Sequence, residues 1–379
     1  MTERAVPCGR TATCPGFILS AALLFLSVLA PSAAVADDSY ILGYAAALLE
    51  HEFGLSATIR VTDGAVTVHT SHLSRGTREK VLAGLKRIPD VRQARVVESG
   101  DALAPFPEAG TSVLETRISR PSSEFLPRGT LFEPLHADPR WPHFSAAYRR
   151  GTAGPDPKSS FAGNFGDSLS LYRHAAAFEG QWELGLQAGV FSIFDVGSPS
   201  GSQDLFNADY LIAITTAYRT GPLSGLFRLL HLSSHLGDEY ILNSTPPVTR
   251  LGLALEGFDA RMSYDVSDWL RVYGGGGYFF SVSPSDIKRG TGQFGAELTA
   301  PKTYFGDTIR PVAYADFQSN QRTDWTIGRS LMMGVQFEHF EVLSRNLQLL
   351  LEYYAGPSPN GDFLFQKTEW FGIGLHFYL

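Results

Sequence analysis

Cysteine is almost missing from this chain. Its two copies, Cys8 and Cys14, both lie within the first 36 residues. The body of the chain therefore has no disulfide framework and no thiolate metal site. Beyond residue 36, no apolar run approaches the roughly 20 residues that a spanning helix needs. If the chain crosses a membrane it does so with strands, because in lipid only helices and closed barrels satisfy every backbone polar group. Basic clusters are absent too. Setting aside residues 1–36 leaves 29 basic and 37 acidic residues, a net charge of −8, which excludes nucleic acid as an expected partner. Gly274 to Gly277 lack the strand–loop–helix context of a phosphate cradle. They are read as close backbone approach within a strand, and no cofactor is expected.

The N-terminus has the layout of a secretory leader. Arg4 and Arg10 precede an apolar stretch from Phe17 to Ala30, and Ala34-Val35-Ala36 offers the short side chains that signal peptidase admits. Cleavage is expected after Ala36. Cys14 precedes the apolar stretch, which argues against lipoprotein processing.

Residues 37–100 form a first unit. Ile41, Ala45, Leu48, Leu49 and Phe53 lie near helical spacing, with Gly54 as a stop. Ala57, Ile59 and Val61 alternate with polar residues, Asp63-Gly64 supplies a tight turn, and Val66 and Val68 resume the alternation. A second helix over about 75–87 and a strand over 93–97 complete an α-β-β-α-β order. The VTDGAVTV hairpin and the IPDV turn resemble the BON domain, a small periplasmic module. That resemblance implies phospholipid contact by residues 40–100. Residues 101–142, rich in proline and serine, read as a linker.

From residue 143 to 379 the period is two. Phe371, Ile373, Leu375, Phe377 and Leu379 share one face of the last segment, opposite Gly372, Gly374, His376 and Tyr378. Trp182, Leu184 and Leu186 oppose Glu183, Gly185 and Gln187 in the same way. An apolar face set against glycine and charge fits lipid outside and a polar lumen inside. The expected fold class is mainly β, a transmembrane antiparallel barrel of about 12 strands with a small N-terminal α+β domain. The strands are placed near 143–150, 167–175, 181–194, 208–219, 223–236, 250–265, 269–281, 292–300, 310–319, 330–339, 346–355 and 368–379. Connections alternate between short and long, with 301–308 as an exception. The terminal strand resembles the signal read by the barrel-assembly machinery, with Leu379 in place of the usual phenylalanine. Outer-membrane lipid and that machinery are the expected partners, and the N-terminal unit is expected in the periplasm.

The densest polar cluster is HLSSHLGDE, His231 to Glu239. Residues two apart on a strand share a face, so the His231 imidazole can reach the Ser233 hydroxyl and take its proton. The His-x-Ser spacing is similar to that of outer-membrane phospholipase A and the lipid A deacylases. In the phospholipase an asparagine on the neighbouring strand orients the histidine; here Glu256, Asp259 and Arg261 are the polar groups available on that strand. Leu226, Leu230, Leu232 and Leu236 read as the lipid-facing set, which turns His231, Ser233 and His235 into the lumen. A lumen network of His235, Asp238, Glu239, Arg228, Glu256 and Arg261 is the competing structural reading. His231, His235, Asp238 and Glu239 also suit a divalent ion by donor chemistry, although no metal site is assigned.

The segments FEPLHADPRWPHFS and HLSSHLGDEY resemble an uncharacterised family of bacterial outer-membrane proteins, over roughly 131–379. The resemblance implies location and barrel architecture, with no reaction to transfer. The expected function is a non-enzymatic structural, binding or transport barrel whose N-terminal unit contacts lipid or envelope partners; the alternative is a lipid hydrolase using His231 and Ser233.

Overall fold

A computed structural model describes residues 37–378 except 71–72, 74, 99–113, 119–122, 179, 198–202, 245–247 and 343–344. The expected leader, Leu379 and much of the expected linker lie outside the described residues.

The N-terminal unit begins with α1 (Asp38–Ala47), whose first turn is capped by the Asp37 carboxylate accepting from the Tyr40 amide at 2.8 Å. A π-helical turn, Leu48–Glu52, extends it, and Gly54 ends it at φ +58°. β1 (Ala57–Thr62) and β2 (Ala65–Thr70) form a hairpin across Asp63-Gly64. Both turn residues have positive φ, as a tight right-twisting turn requires, and Asp38 accepts from both of their amides. α2 (Arg75–Lys86) leads to β3 (Gln93–Glu98), which runs parallel to β2. β4 (Leu114–Ile118), from the stretch expected as a linker, adds to the other edge and gives the order β3-β2-β1-β4. Ile41, Leu49, Ile59, Val81, Leu85 and Val96 close a dry core between helices and sheet.

After a short β5 (Ser123–Phe125), twelve antiparallel strands form the barrel. They are β6 (Phe144–Ala153), β7 (Ser159–Ala175), β8 (Gln181–Asp195), β9 (Asp204–Thr220), β10 (Leu223–Leu236) and β11 (Ala254–Ser267), then β12 (Leu270–Ser283), β13 (Gly290–Thr299), β14 (Ile309–Asn320), β15 (Ile327–Val342), β16 (Arg345–Pro357) and β17 (Lys367–Tyr378). β17 pairs with β6, so the twelve strands close on themselves. The turns at one end are short, and the 300–308 connection is longer, as the spacing had indicated. The opposite end carries the long loops, one of which holds α3 (Asp238–Asn243). At the turn end the N-terminal unit meets the barrel through Arg78 to Asp268 at 3.2 Å and Glu79 to Arg310 at 3.4 Å.

Alternation decides what faces outward. Phe227, Leu229, Met262, Met333, Leu351 and Phe371 are exposed around the wall, and Arg228, Asp259, Glu352 and His376 of the same strands turn inward. An apolar surface of that extent, continuous round a closed barrel, has the pattern of a lipid-facing belt.

The lumen is filled. Residues 131–143 run through it and are held by side chains from nearly every quarter of the wall. Arg271 donates to the Pro134 carbonyl at 2.8 Å and the Glu133 carbonyl at 3.0 Å, and Glu297 accepts from the His136 amide at 2.8 Å. Asp138 accepts from Gln293 at 3.0 Å and Gln318 at 2.9 Å. Arg140 pairs with Asp209 and donates to the Pro359 carbonyl. Trp141, 1% exposed, packs against Leu131, Phe132, Leu226 and Tyr273. His143 reaches His376 at 3.0 Å, and His376 in turn reaches Glu352 at 2.8 Å. Charges this deep persist because each has a partner. Residues 131–143 are thus an internal plug.

Candidate active site

The orientation of β10 reverses the sequence expectation. Ser224, Leu226, Arg228, Leu230, Ser234 and Leu236 are buried in the lumen, while Phe227 and Leu229 are exposed on the wall. His231, Ser233 and His235 belong to the outward set. The four leucines were misread as lipid-facing because the plugged lumen is itself apolar at this level. Leu230 packs on Phe191, Leu211 and Ala213, and Leu236 packs on Ile193, Phe206 and Phe363. Arg228 carries the missed signal. It shares a face with Leu226 and Leu230, and a guanidinium in mid-strand cannot face hydrocarbon at small cost.

On the outer wall, the antiparallel register sets His231 opposite Glu256 of β11 and Ser233 opposite Tyr210 of β9. His231 Nδ1 lies 3.6 Å from Glu256 Oε1, with the two side chains 44% and 50% exposed. A carboxylate on that side favours the proton on Nδ1 and leaves the lone pair on Nε2. Ser233 stands two residues along the same face, about 6–7 Å up the strand. His235, the next outward residue, sets its ring edge-on to Tyr210 with centroids 5.6 Å apart. Serine, imidazole and carboxylate thus lie side by side on two paired strands, three to five residues below the loop end of β10. Ile212 flanks His231 on β9, and Phe258 lies two residues from Glu256 on β11, so apolar surface borders the trio.

Residues 52–379 match the sequence profile of DUF1207, a family described as proteins of unknown function. The chain belongs to the DUF1207 family. The match reaches into the N-terminal unit, so the family extends beyond the 131–379 region to which the resemblance had been confined. No curated protein matches this DUF1207 chain in sequence. Among solved structures, outer membrane phospholipase A from Escherichia coli is 14% identical, covering 62% of this chain and 96% of that one at a TM-score of 0.43. The KdgM porin is 12% identical, covering 61% and 97% at 0.33. The β domain of the Bordetella autotransporter BrkA is 12% identical, covering 62% and 99% at 0.34. Their names span a phospholipase, a porin and an autotransporter, so the likeness decides no activity. This DUF1207 protein is an outer-membrane-like barrel.

The remaining expected site residues separate into two groups. Arg228 and Arg261 do enter the lumen of the DUF1207 barrel, where both pair with Asp259, at 2.7 and 2.6 Å. His235 and Glu256 face outward and belong to no lumen network. Asp238 and Glu239 start α3 among the loops, exposed, with Asp238 2.9 Å from Arg250. Separation by face and by element also answers the metal reading: among the described residues no group of three or more acidic, histidine or cysteine side chains could hold an ion. The sequence reading missed Asp138, Arg140, Glu297, Glu352 and His376. The strand members among them sit on the face opposite the apolar belt, which was the available sign. The plug residues carried no periodic sign at all.

Proposed function

We propose that this barrel is an outer-membrane serine hydrolase that cleaves ester or amide bonds of membrane lipids. The supporting observation is the outward placement of Ser233, His231 and Glu256 together, on the lipid-facing wall near the loop end. In this reading the turn end and the BON-like unit lie in the periplasm, where that unit contacts phospholipid or envelope partners, and the loops face outward. The trio then sits in the external leaflet, near the depth where acyl linkages meet headgroups.

The chemistry follows from the three positions. Ser233 Oγ attacks the acyl carbonyl while His231 Nε2 takes its proton. The negative Glu256 carboxylate holds the ring by its Nδ1 side and stabilises the imidazolium. The imidazolium then passes the proton to the leaving alkoxide or amine, freeing the headgroup portion and leaving an acyl-serine. Water, deprotonated by the same imidazole, cleaves that ester to release the fatty acid and restore the hydroxyl. Phe227, Leu229, Ile212 and Phe258 offer an apolar bed for the acyl chain.

The test is release of fatty acid from phospholipid and from lipopolysaccharide by the full chain in detergent micelles. Turnover by wild type and none by Ser233→Ala is expected. No turnover on either substrate, or equal turnover by Ser233→Ala, removes the hydrolase and leaves a structural or binding barrel.

A further inference from the structure

A second site lies inside the barrel, above the plug at the loop end. There a cavity of about 80 Å³ is lined by Arg140, Gln318, Asn320, Arg322, Ser358 and neighbouring residues. A water molecule's share of liquid volume is about 30 Å³, so the space suits a few waters or one small polyatomic ion. Most of its charged neighbours are already committed. Arg140 is engaged with Asp209, the Pro359 carbonyl and Asn360. Asp362 accepts from the Leu251 and Gly252 amides, and Asp156 accepts from Asn360 and Thr368. Asp324, beside Arg322 in sequence, turns outward to Lys288 at 2.7 Å.

Arg322 is different. It sits in the one-turn helix Gln321–Thr323 that joins β14 to β15, with its guanidinium 5.3 Å from the centre of the Phe279 ring. Its Nη1 is buried and has no hydrogen-bond acceptor among the described residues. Desolvation lowers its pKa to about 10. A guanidinium offers five N–H donors in a planar fork matched to oxyanions, and burying such a group without a counter-charge is unfavourable.

We infer that this cavity is a binding site for a small soluble oxyanion of the phosphate class, with Arg322 as its counter-charge. Asn320 and Ser358 supply further donors, and the Phe279 ring lies against the guanidinium. The lining residues belong to the lumen side of the barrel, so the wall separates the site from lipid headgroups and the ligand comes from solution.

Titration calorimetry of inorganic phosphate into the full chain, in phosphate-free detergent, tests the assignment. Wild type should show one saturable site, weakened at least tenfold in Arg322→Met and partly recovered in Arg322→Lys. Without phosphate, Arg322→Met should melt no lower than wild type, because it removes an unbalanced cation. Repeating the titration in phospholipid vesicles should leave the affinity unchanged. No saturable binding by wild type, equal affinity in Arg322→Met, a lower melting point of that variant, or loss of binding in vesicles would each overturn the inference. None of these readouts depends on Ser233.

Discussion

Glu256 provides the sharpest test of the outer-wall site, because its contribution can be worked from one distance. At 3.6 Å, an imidazolium and a carboxylate attract by about 1 kcal/mol in water and by about 4–5 kcal/mol at an effective dielectric of about 20. Both side chains are half exposed, and on the proposed reading they lie near the loop end, where headgroups and water still reach. The lower part of that range therefore applies. At about 1.4 kcal/mol per tenfold in rate, Glu256→Ala should lower kcat for lipid ester cleavage by about 10- to 100-fold. Glu256→Gln should fall between that variant and wild type, since it keeps a group able to hold the ring but not the charge. Ser233→Ala and His231→Ala should lose about 10³-fold or more, and Ser233→Ala combined with Glu256→Ala should be no slower than Ser233→Ala alone, because residues that act as a unit are not additive. The assay is fatty-acid release in mixed micelles, with folding of each variant checked by the heat-dependent gel shift of the barrel. If Glu256→Ala stays within about twofold of wild type while Ser233→Ala is inactive, the orienting role assigned to the carboxylate is refuted.

Three further outcomes follow from the lumen and the loops. Wild type should show no steady ion conductance in planar bilayers, and excision of residues 131–141 should open one; a conducting wild type would refute the plug. Arg228→Leu removes bonds to Asp259 and Gln187, which lie at 2.7–2.9 Å. Arg261 still neutralises Asp259, so the loss should be about 2–3 kcal/mol in urea unfolding from vesicles, and a loss below about 1 kcal/mol would count against it. Asp156, in the β6–β7 loop, has its carboxyl pushed above the ordinary 3.8 by burial. A carboxyl raised in the folded state carries no penalty below its unfolded value and destabilises as pH rises through the folded one. The melting point of Asp156→Asn relative to wild type should therefore climb as pH rises above about 4, and a flat difference would refute the reasoning.

Most of the barrel was readable because lipid and lumen impose opposite chemistry on alternate residues. The last strand shows this most clearly, with Phe371, Ile373 and Leu375 outside and His376 inside. The reading weakened where both faces are apolar or small. The β7 strand starts at Ser159 rather than near 167, because Ala162, Gly163 and Gly166 carry no alternation to read. The β10 strand was assigned the wrong face for a related reason: a plugged lumen offers leucine nearly the same environment as lipid does. For the candidate site, the spacing of His231 and Ser233 was legible, and its partner was narrowed to Glu256, Asp259 and Arg261 without a choice among them. Glu256 lies 25 residues further on in sequence, and only the β10–β11 register brings it to His231. The plug, with proline and no period, gave no hint that its Asp138 and Arg140 would meet strands from around the wall.

The plug has a consequence for how the molecule is made. Residues 131–143 lead directly into β6, and the β6–β17 seam is where the first and last strands of the barrel meet. That seam sets His143 against His376, and β17's Tyr378 donates to the His136 carbonyl at 2.9 Å. The final strand therefore finds its register partly on the plug itself. Closing the seam doubles as an inspection of the interior: a chain whose plug is unseated presents its last strand with an unfinished surface.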